Sequence, residues 1–180
     1  MPAAIQVKVI KPKKMNEKAF YAAINTMLAE TDKGIHKDFT DTTTTFKKKP
    51  PFKHGHSLTA TRGRAYTETD DEIYGYLNDG TGGKGQGPTY PIPKVPKRKG
   101  ALRFKWGGKG SYRAKTAPGR FGSRPGGPSG PWVAFKQIQH PGIKPRKFDE
   151  IIAKRWKTLL PRAADSALGK GAKASGHGIP

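Results

Sequence analysis

The sequence predicts an α+β fold, with an amphipathic helix near each end of the chain and short strands between the helices. Apolar residues recur at helical spacing after Asn16 and after Pro145, and they alternate with polar residues in several segments between these points. At 180 residues, the chain has the length of one ordinary domain. We expect this domain over residues 15–168, preceded by an arm or strand over residues 1–14 and followed by a low-complexity tail over residues 169–180.

The first helix is predicted over residues 16–32. Asn16 suits its N-cap, because an Asn side chain accepts a hydrogen bond from an amide of the first turn. A stripe of apolar residues at three- and four-residue spacing marks the buried face. The spacing continues past Gly34, so the pattern leaves the far end of this helix open. The stripe consists of Phe20, Ala23, Ile24, Met27 and Leu28.

Residues 41–66 are predicted to be extended. The β-branched tract Thr42–Thr45 favours a first strand, and the alternating segment Phe52–Tyr66 favours a second. The intervening stretch Lys47–Pro51 ends in two prolines, which suit a loop better than a strand. The simplest interpretation is two strands joined by a proline-containing loop.

A second helix is predicted to open at Phe148. Pro145 precedes it, and the carboxylates of Asp149 and Glu150 would offset the exposed N–H groups of its first turn. Pro161 is expected to kink or end this helix, since proline lacks the N–H that an interior helical position needs. The residues expected to pack the two helices on the sheet are Phe20, Ile24, Leu28, Ile151, Ile152 and Leu159.

A basic region rich in glycine and proline lies between the two helices. From Gly80 to Lys147 the sequence has 16 Lys or Arg and no Asp or Glu. The segments 101–106 and 132–138 alternate well enough to be strands, so we expect long basic hairpin loops over residues 80–131 instead of a free linker. The whole chain carries a formal net charge of +22. Such unbalanced charge favours an anionic neighbour.

Two interpretations of this basic region stay open. In the first, its cations bind nucleic acid through phosphate contacts while neighbouring aromatic residues stack on bases. In the second, its loops contact neighbouring subunits of an assembly or face a DNA-filled channel. The candidate interface or channel-facing residues are Lys94, Lys97, Arg98, Lys99, Arg103, Lys105, Arg113, Lys115, Arg120 and Arg124.

The sequence predicts no enzyme activity, no cofactor and no metal site. The chain has no cysteine, which removes thiolate nucleophiles and thiolate metal ligands. Gly80–Gly85 has the glycine spacing of a dinucleotide-binding loop, but prolines follow where a phosphate-binding helix would begin. His54 and His56 have no further ligand at metal-site spacing and are expected to be exposed strand histidines. The acidic residues from Glu68 to Glu72 favour local charge balance on a basic surface.

Four short motifs follow one another in an informative order. The most specific is Ile138–Phe148, a strand ending in His-Pro-Gly, followed by the Pro and Phe that open the last helix. The others are Thr45–Phe52, Tyr74–Thr81 and Lys99–Phe104. Together these motifs resemble those of the tail-completion proteins of long-tailed bacteriophages, a family of tail components that acts at the head–tail junction.

The resemblance covers residues 15–165. It departs from the family pattern at Phe46, where the family has Trp, and in an enlarged Gly- and Arg-rich loop over residues 107–131. It implies an α+β domain in which a small antiparallel sheet is packed by an N-terminal and a C-terminal helix.

The resemblance also implies a function. A family member would be a non-enzymatic structural protein of the virion neck or upper tail that needs no cofactor. It would complete the tail, or join it to the head, by assembling as a homo-oligomeric ring around the DNA channel, and we expect this ring to be hexameric. Its partners would be copies of itself and neighbouring neck and tail proteins, with non-specific contact to genomic DNA and no membrane. Its location would be the virion, and the host cytoplasm during assembly.

Within the most specific motif, a turn is expected at His140, Pro141 and Gly142. Gly142 permits a positive φ, and Pro141 keeps His140 out of the helical region, so the chain is redirected into the last helix. We interpret this turn, together with Pro145 and Phe148 that complete the motif, as mainly structural.

The composition agrees with an assembly. Leu, Ile, Val and Phe are few for a chain of this length, and with a high net charge this gives a small core. We therefore expect the chain to bury part of its apolar surface against other subunits. The alternative is a basic nucleic-acid-binding protein of ribosomal or nucleoid type, whose affinity for nucleic acid would fall steeply with salt. No apolar segment approaches the roughly 18 residues that a membrane span requires.

Overall fold

The chain combines helices with short antiparallel strands, which confirms the predicted α+β class. The computed structural model describes residues 14–80, 92–94, 100–108, 113–117, 125–140 and 143–177. In these residues the elements are α1 (Glu17–Thr42), β1 (Lys53–Leu58), β2 (Gly63–Glu68), α2 (Glu72–Asp79), β3 (Ile92–Lys94), β4 (Leu102–Lys105), β5 (Trp132–Phe135), β6 (Ile138–His140) and α3 (Phe148–Ala174).

The strands form three separate antiparallel pairs, β1–β2, β3–β6 and β4–β5. Among the described residues they do not join into the single small sheet that the resemblance implied. The strands are three to six residues long. Short edges flanked by glycine and proline offer few free N–H and C=O groups to a further strand, which keeps the pairs apart.

Helix α1 begins as predicted. The Asn16 side chain accepts a hydrogen bond from the Ala19 N–H at 3.3 Å, so Asn16 is the N-cap. The helix then continues through Gly34 to Thr42, beyond the predicted limit of residue 32.

The predicted strand at Thr42–Thr45 is wrong. The Thr42 and Thr43 hydroxyls donate to the carbonyls of Phe39 and Thr40, at 2.6 and 2.9 Å. Because threonine hydroxyls compete for local backbone acceptors, this tract closes the end of α1 and does not extend.

Both strands of the β1–β2 hairpin come from the segment predicted as the second strand, and β2 continues past Tyr66 to Glu68. The proline-containing loop therefore does not join two paired strands, contrary to the prediction. A tight turn joins β1 to β2, in which the Thr59 N–H donates to the Arg62 carbonyl at 2.8 Å. Helix α1 packs on both strands of this hairpin and also on α3, so it is the central element of the fold.

Helix α3 is longer than predicted at its C-terminal end. It passes through Pro161 and includes Gly169 to Ala174, the start of the expected low-complexity tail. Pro161 is exposed, so water can hydrate the carbonyl of Lys157 that it leaves without a helical partner. The extension is held because Gly171 is buried against α1.

Two polar contacts fix α3 against α1. The buried carboxylate of Asp38 accepts hydrogen bonds from Arg155 Nη1 at 2.7 Å and from Trp156 Nε1 at 2.9 Å. Charge-assisted bonds of this kind are stronger than neutral ones. Gly34 lies directly beneath the Trp156 ring, and a side chain at this position would collide with it.

The core formed by the described residues is small, in line with the composition. Of the residues expected to pack the helices, Leu28 and Ile152 are buried, whereas Phe20, Ile24 and Ile151 are partly buried. Leu159 is 36% exposed, contrary to expectation. An open pocket of about 170 Å³ between α1, β2 and α3 replaces the packing expected at this level of α3.

The predicted strands at 101–106 and 132–138 correspond to β4 and β5, which pair with each other as expected for a hairpin. Strand β5 ends at Phe135, and after Lys136 and Gln137 the chain forms β6, which pairs with β3. The expected arm before the domain lies outside the described residues, which begin at Lys14. No helix in the described part of the chain is both long and apolar enough to cross a membrane.

Candidate functional site

The β4–β5 hairpin is the part of the basic region in which the structure describes the most side chains. Its ladder continues beyond the strands, where the Trp106 N–H donates to the Pro131 carbonyl at 2.9 Å. Gly130, with φ 98°, then approaches Gly107 so closely that a Cβ would not fit. The hairpin is therefore a regular two-stranded ladder whose side chains lie on two opposite faces.

One face of this hairpin, which we call the apolar face, carries only apolar side chains. Directly paired residues of an antiparallel ladder point to the same side, and alternate residues along a strand share a face. Phe104 stacks on Phe135 with ring centroids 5.8 Å apart, and Trp106 meets Phe135 edge to face at 6.0 Å. The apolar face consists of Leu102, Phe104, Trp106, Val133 and Phe135.

The opposite side, which we call the basic face, carries Arg103, Lys105 and Trp132. Both cations are exposed, and Lys105 pairs with Trp132 in the ladder. The Lys105 Nζ lies 5.9 Å from the centroid of the Trp132 ring, within the range of a cation–π contact. Trp132 is 64% exposed. The basic face therefore combines positive charge with an accessible aromatic ring.

Neither face is covered by another element of the described residues. In the described residues, no helix and neither of the other strand pairs packs extensively on β4 or β5. On the apolar face, Trp106 is 44% and Phe135 38% exposed. Contiguous exposed apolar side chains mark a surface that binds a partner. The hairpin is therefore the candidate functional site.

The structure places some of the predicted basic residues at this site and others elsewhere. Arg103 and Lys105 lie on the basic face, and Lys94 is the last residue of β3. Arg113 and Lys115 are exposed, and Arg113 forms an antiparallel bridge with Gly127. The predicted residues outside the described part of the chain are Lys97, Arg98, Lys99, Arg120 and Arg124.

Arg146 is a basic residue whose role the sequence does not reveal. It is buried, and its Nε donates to the Thr116 hydroxyl at 3.2 Å. Its backbone N–H donates to the carbonyls of Leu77 and Asn78 at 2.9 and 3.1 Å. Arg146 therefore anchors the basic region to α2.

The predicted turn motif is described only in part, because Pro141 and Gly142 lie outside the described residues and His140 is placed only as the end of β6. The packing of two further motif residues is described. Pro145 packs closely on Gly80, and Phe148 is fully buried.

The N-terminus of α3 is capped from another element. The Asn78 side chain of α2 accepts a hydrogen bond from the Asp149 N–H at 3.2 Å. Lys147, the residue before the helix, has a left-handed backbone with φ 57° and ψ 45°, and donates its own N–H to the Asn78 carbonyl at 3.0 Å. Its Nζ bonds Glu150 at 2.8 Å, and this hydrogen bond raises the pKa of Lys147.

An aromatic cluster joins three of the four sequence motifs. The Tyr74 ring lies 5.2 Å from that of Phe52 and 6.1 Å from that of Phe148. Burial raises the pKa of Tyr74 to about 12, so its phenol stays neutral over the physiological range. The motifs that are separate in sequence therefore meet in one core.

Histidines gather where α1 meets β1. The Nδ1 atoms of His54 and His56 lie 2.8 and 3.6 Å from the carboxylate oxygens of buried Asp32. The His36 ring stacks on His54 with centroids 4.1 Å apart. The expectation of exposed strand histidines missed these contacts, because they depend on the packing of β1 against α1. The described residues contain no group of side chains suited to hold a metal ion.

The acidic residues around α2 have structural partners. The Asp71 side chain caps α2 by accepting from the Tyr74 N–H at 2.8 Å, and Asp70 lies 3.5 Å from Lys53 Nζ. The contact of Asp70 with Lys53 agrees with the expected balancing of local charge, whereas Asp71 serves as a helix cap.

Comparisons of this chain with protein-family models, with curated proteins and with solved structures find no match.

Proposed function

We propose that this chain is a structural protein of a bacteriophage virion that assembles as a homo-oligomeric ring at the neck or upper tail. It would complete the tail or join it to the head around the DNA channel. The observation that carries the proposal is the apolar face of the β4–β5 hairpin, which no other described element covers, in a chain whose described residues form an apolar core of only a few side chains. A subunit that leaves such a face open gains stability when another subunit covers it.

The interlocked motifs support the same proposal. Three of the four motifs that resemble the tail-completion family meet around Tyr74, where Phe52 and Phe148 pack on its ring. These three motifs therefore build a single structural unit, and the fourth, Lys99–Phe104, contains most of β4 in the hairpin that we propose contacts partners. A ring lined by part of a +22 chain would also suit the passage of DNA.

Mass spectrometry of purified particles tests this proposal, using the phage whose genome encodes the chain. We expect the chain in the particles at a few copies each, in constant ratio to portal, adaptor or tail proteins encoded nearby. Particles made without it should accumulate as unjoined heads and tails. Absence from particles, with the chain found instead on ribosomes or on bulk nucleic acid, would contradict the proposal and support the ribosomal or nucleoid alternative.

A further inference from the structure

We propose that the basic face of the β4–β5 hairpin, formed by Arg103, Lys105 and Trp132, is a binding site for a single strand of nucleic acid. In this site Trp132 stacks on an unpaired base while Arg103 and Lys105 contact the phosphates beside it. The inference uses the face opposite to the apolar face, so it does not depend on ring assembly.

The spacing of the two cations fits a polynucleotide backbone. Arg103 and Lys105 are two residues apart on β4, which separates their Cα atoms by about 7 Å in an extended strand. This separation is comparable with that of successive phosphates along an extended nucleic-acid strand. Both side chains are long enough to adjust to the exact phosphate positions.

No acidic residue lies near the basic face in the sequence. The sequence contains no Asp or Glu between Gly80 and Lys147, and no ion pair engages Arg103 or Lys105 in the described part of the chain. Lys105 instead lies over the Trp132 ring. Cations left without carboxylate partners gain most from a polyanion, because binding releases its condensed counterions.

The exposed indole distinguishes a single strand from other anionic partners. In a duplex the bases are already stacked on one another, so Trp132 would have no free base to cover. An acidic peptide would satisfy the cations but would leave most of the Trp132 ring, which is 64% exposed, in water. Unpaired bases supply both the phosphate charge and a flat surface for the ring.

Fluorescence anisotropy of a labelled oligothymidylate, titrated with the full chain over a series of salt concentrations, tests the site. Trp132→Leu should raise Kd about 10-fold or more while leaving the salt dependence unchanged, since only stacking is lost. Trp132→Phe should keep most of the affinity because it keeps an aromatic ring. Arg103→Ala with Lys105→Ala should lower the slope of log K against log salt by about 1.4, since each phosphate contact on a single strand contributes about 0.7.

Two matched controls come from the same chain. Lys154→Ala with Lys170→Ala removes the same charge from exposed positions of α3 and should leave the slope unchanged. Tyr21→Leu removes an exposed aromatic ring from α1, away from both faces of the hairpin, and should leave Kd within about twofold.

Three results would overturn the inference. The first is equal affinity for Trp132→Leu and Trp132→Phe. The second is a loss of the slope of log K against log salt in the α3 control equal to that of the Arg103→Ala, Lys105→Ala variant. That result would mean that the strand is held by the overall charge of the chain and not by this site. The third is competition by duplex DNA or polyglutamate as strong as by the single strand. The oligomeric state of the wild type is measured in the same samples. A failure of strand binding can therefore be told apart from a failure of ring assembly.

Discussion

Glycines at two crossing points of α1 and α3 determine how near these helices lie. A Cβ at Gly171 would fall 2.9 Å from Cδ1 of Phe20 and 3.1 Å from its Cα, and Gly34 lies against Trp156 in the same way. Glycine inside a helix costs about 1 kcal/mol relative to alanine. These two glycines therefore favour contact between the helices at the expense of helix propensity.

Alanine substitution of Gly169 and of Gly171 separates the effect of helix–helix contact from the effect of helix propensity. Gly169 lies in the same helix with open space around its Cα, so Gly169→Ala should raise the free energy of unfolding by about 0.5–1 kcal/mol. Gly171→Ala should lower it by about 1 kcal/mol, because overpacking against Phe20 outweighs the gain in propensity. Urea unfolding at one fixed protein concentration measures both. Equal stabilisation by the two variants would mean that α3 does not close on α1 at this point.

The buried phenol of Tyr74 predicts an alkaline limit to stability. Its pKa is about 12 in the folded chain against 10.0 ordinarily, so above pH 10 the unfolded chain loses this proton first. The stabilisation is complete below pH 10 and is lost as the pH rises toward 12. Tyr74→Phe should therefore lose less of its free energy of unfolding than the wild type between these pH values, as measured by urea unfolding.

Tyr76→Phe is the matched control for this experiment, because Tyr76 is 52% exposed on the same helix. It should follow the wild-type pH profile. If Tyr74→Phe also follows that profile, the phenol is not buried in solution.

The elements show where sequence periodicity is informative. The start of α1 and the strands β4 and β5 follow from apolar spacing and from the Asn16 cap, and the structure confirms them. The Thr42–Thr45 tract does not form the predicted strand, because hydrogen bonds from its hydroxyls to the backbone override β propensity there. The C-terminal part of α3 was missed because its inward stripe consists of small residues, Ala167 and Gly171, which carry almost no apolar signal.

The candidate site could be predicted in composition but not in geometry. Alternation in the sequence already separates Arg103 and Lys105 from Phe104 and Trp106. The pairing of Lys105 with Trp132 could not be predicted, because the register depends on the long intervening loop and its glycine contacts. Without this register, the sequence could not show that the hairpin has one apolar and one basic face.

At the scale of the whole molecule, charge and burial lead to the same conclusion. A net charge of +22 makes the isolated chain repel itself, and a core of few buried apolar residues gives little stability in return. Covering the apolar face would add buried surface, and an anionic neighbour would relieve the repulsion. Both features support the proposal that the chain is one subunit of a larger assembly.

The molar mass of the purified chain, measured by light scattering after size exclusion over a range of concentrations, tests this account most directly. We expect the wild type and Trp132→Ala to form the same discrete oligomer of 19.6 kDa subunits. We expect Trp106→Ala to dissociate, because it removes an exposed ring from the apolar face. A wild-type chain that stays monomeric at every concentration, or an oligomer that Trp106→Ala leaves intact while Trp132→Ala disrupts it, would contradict the account.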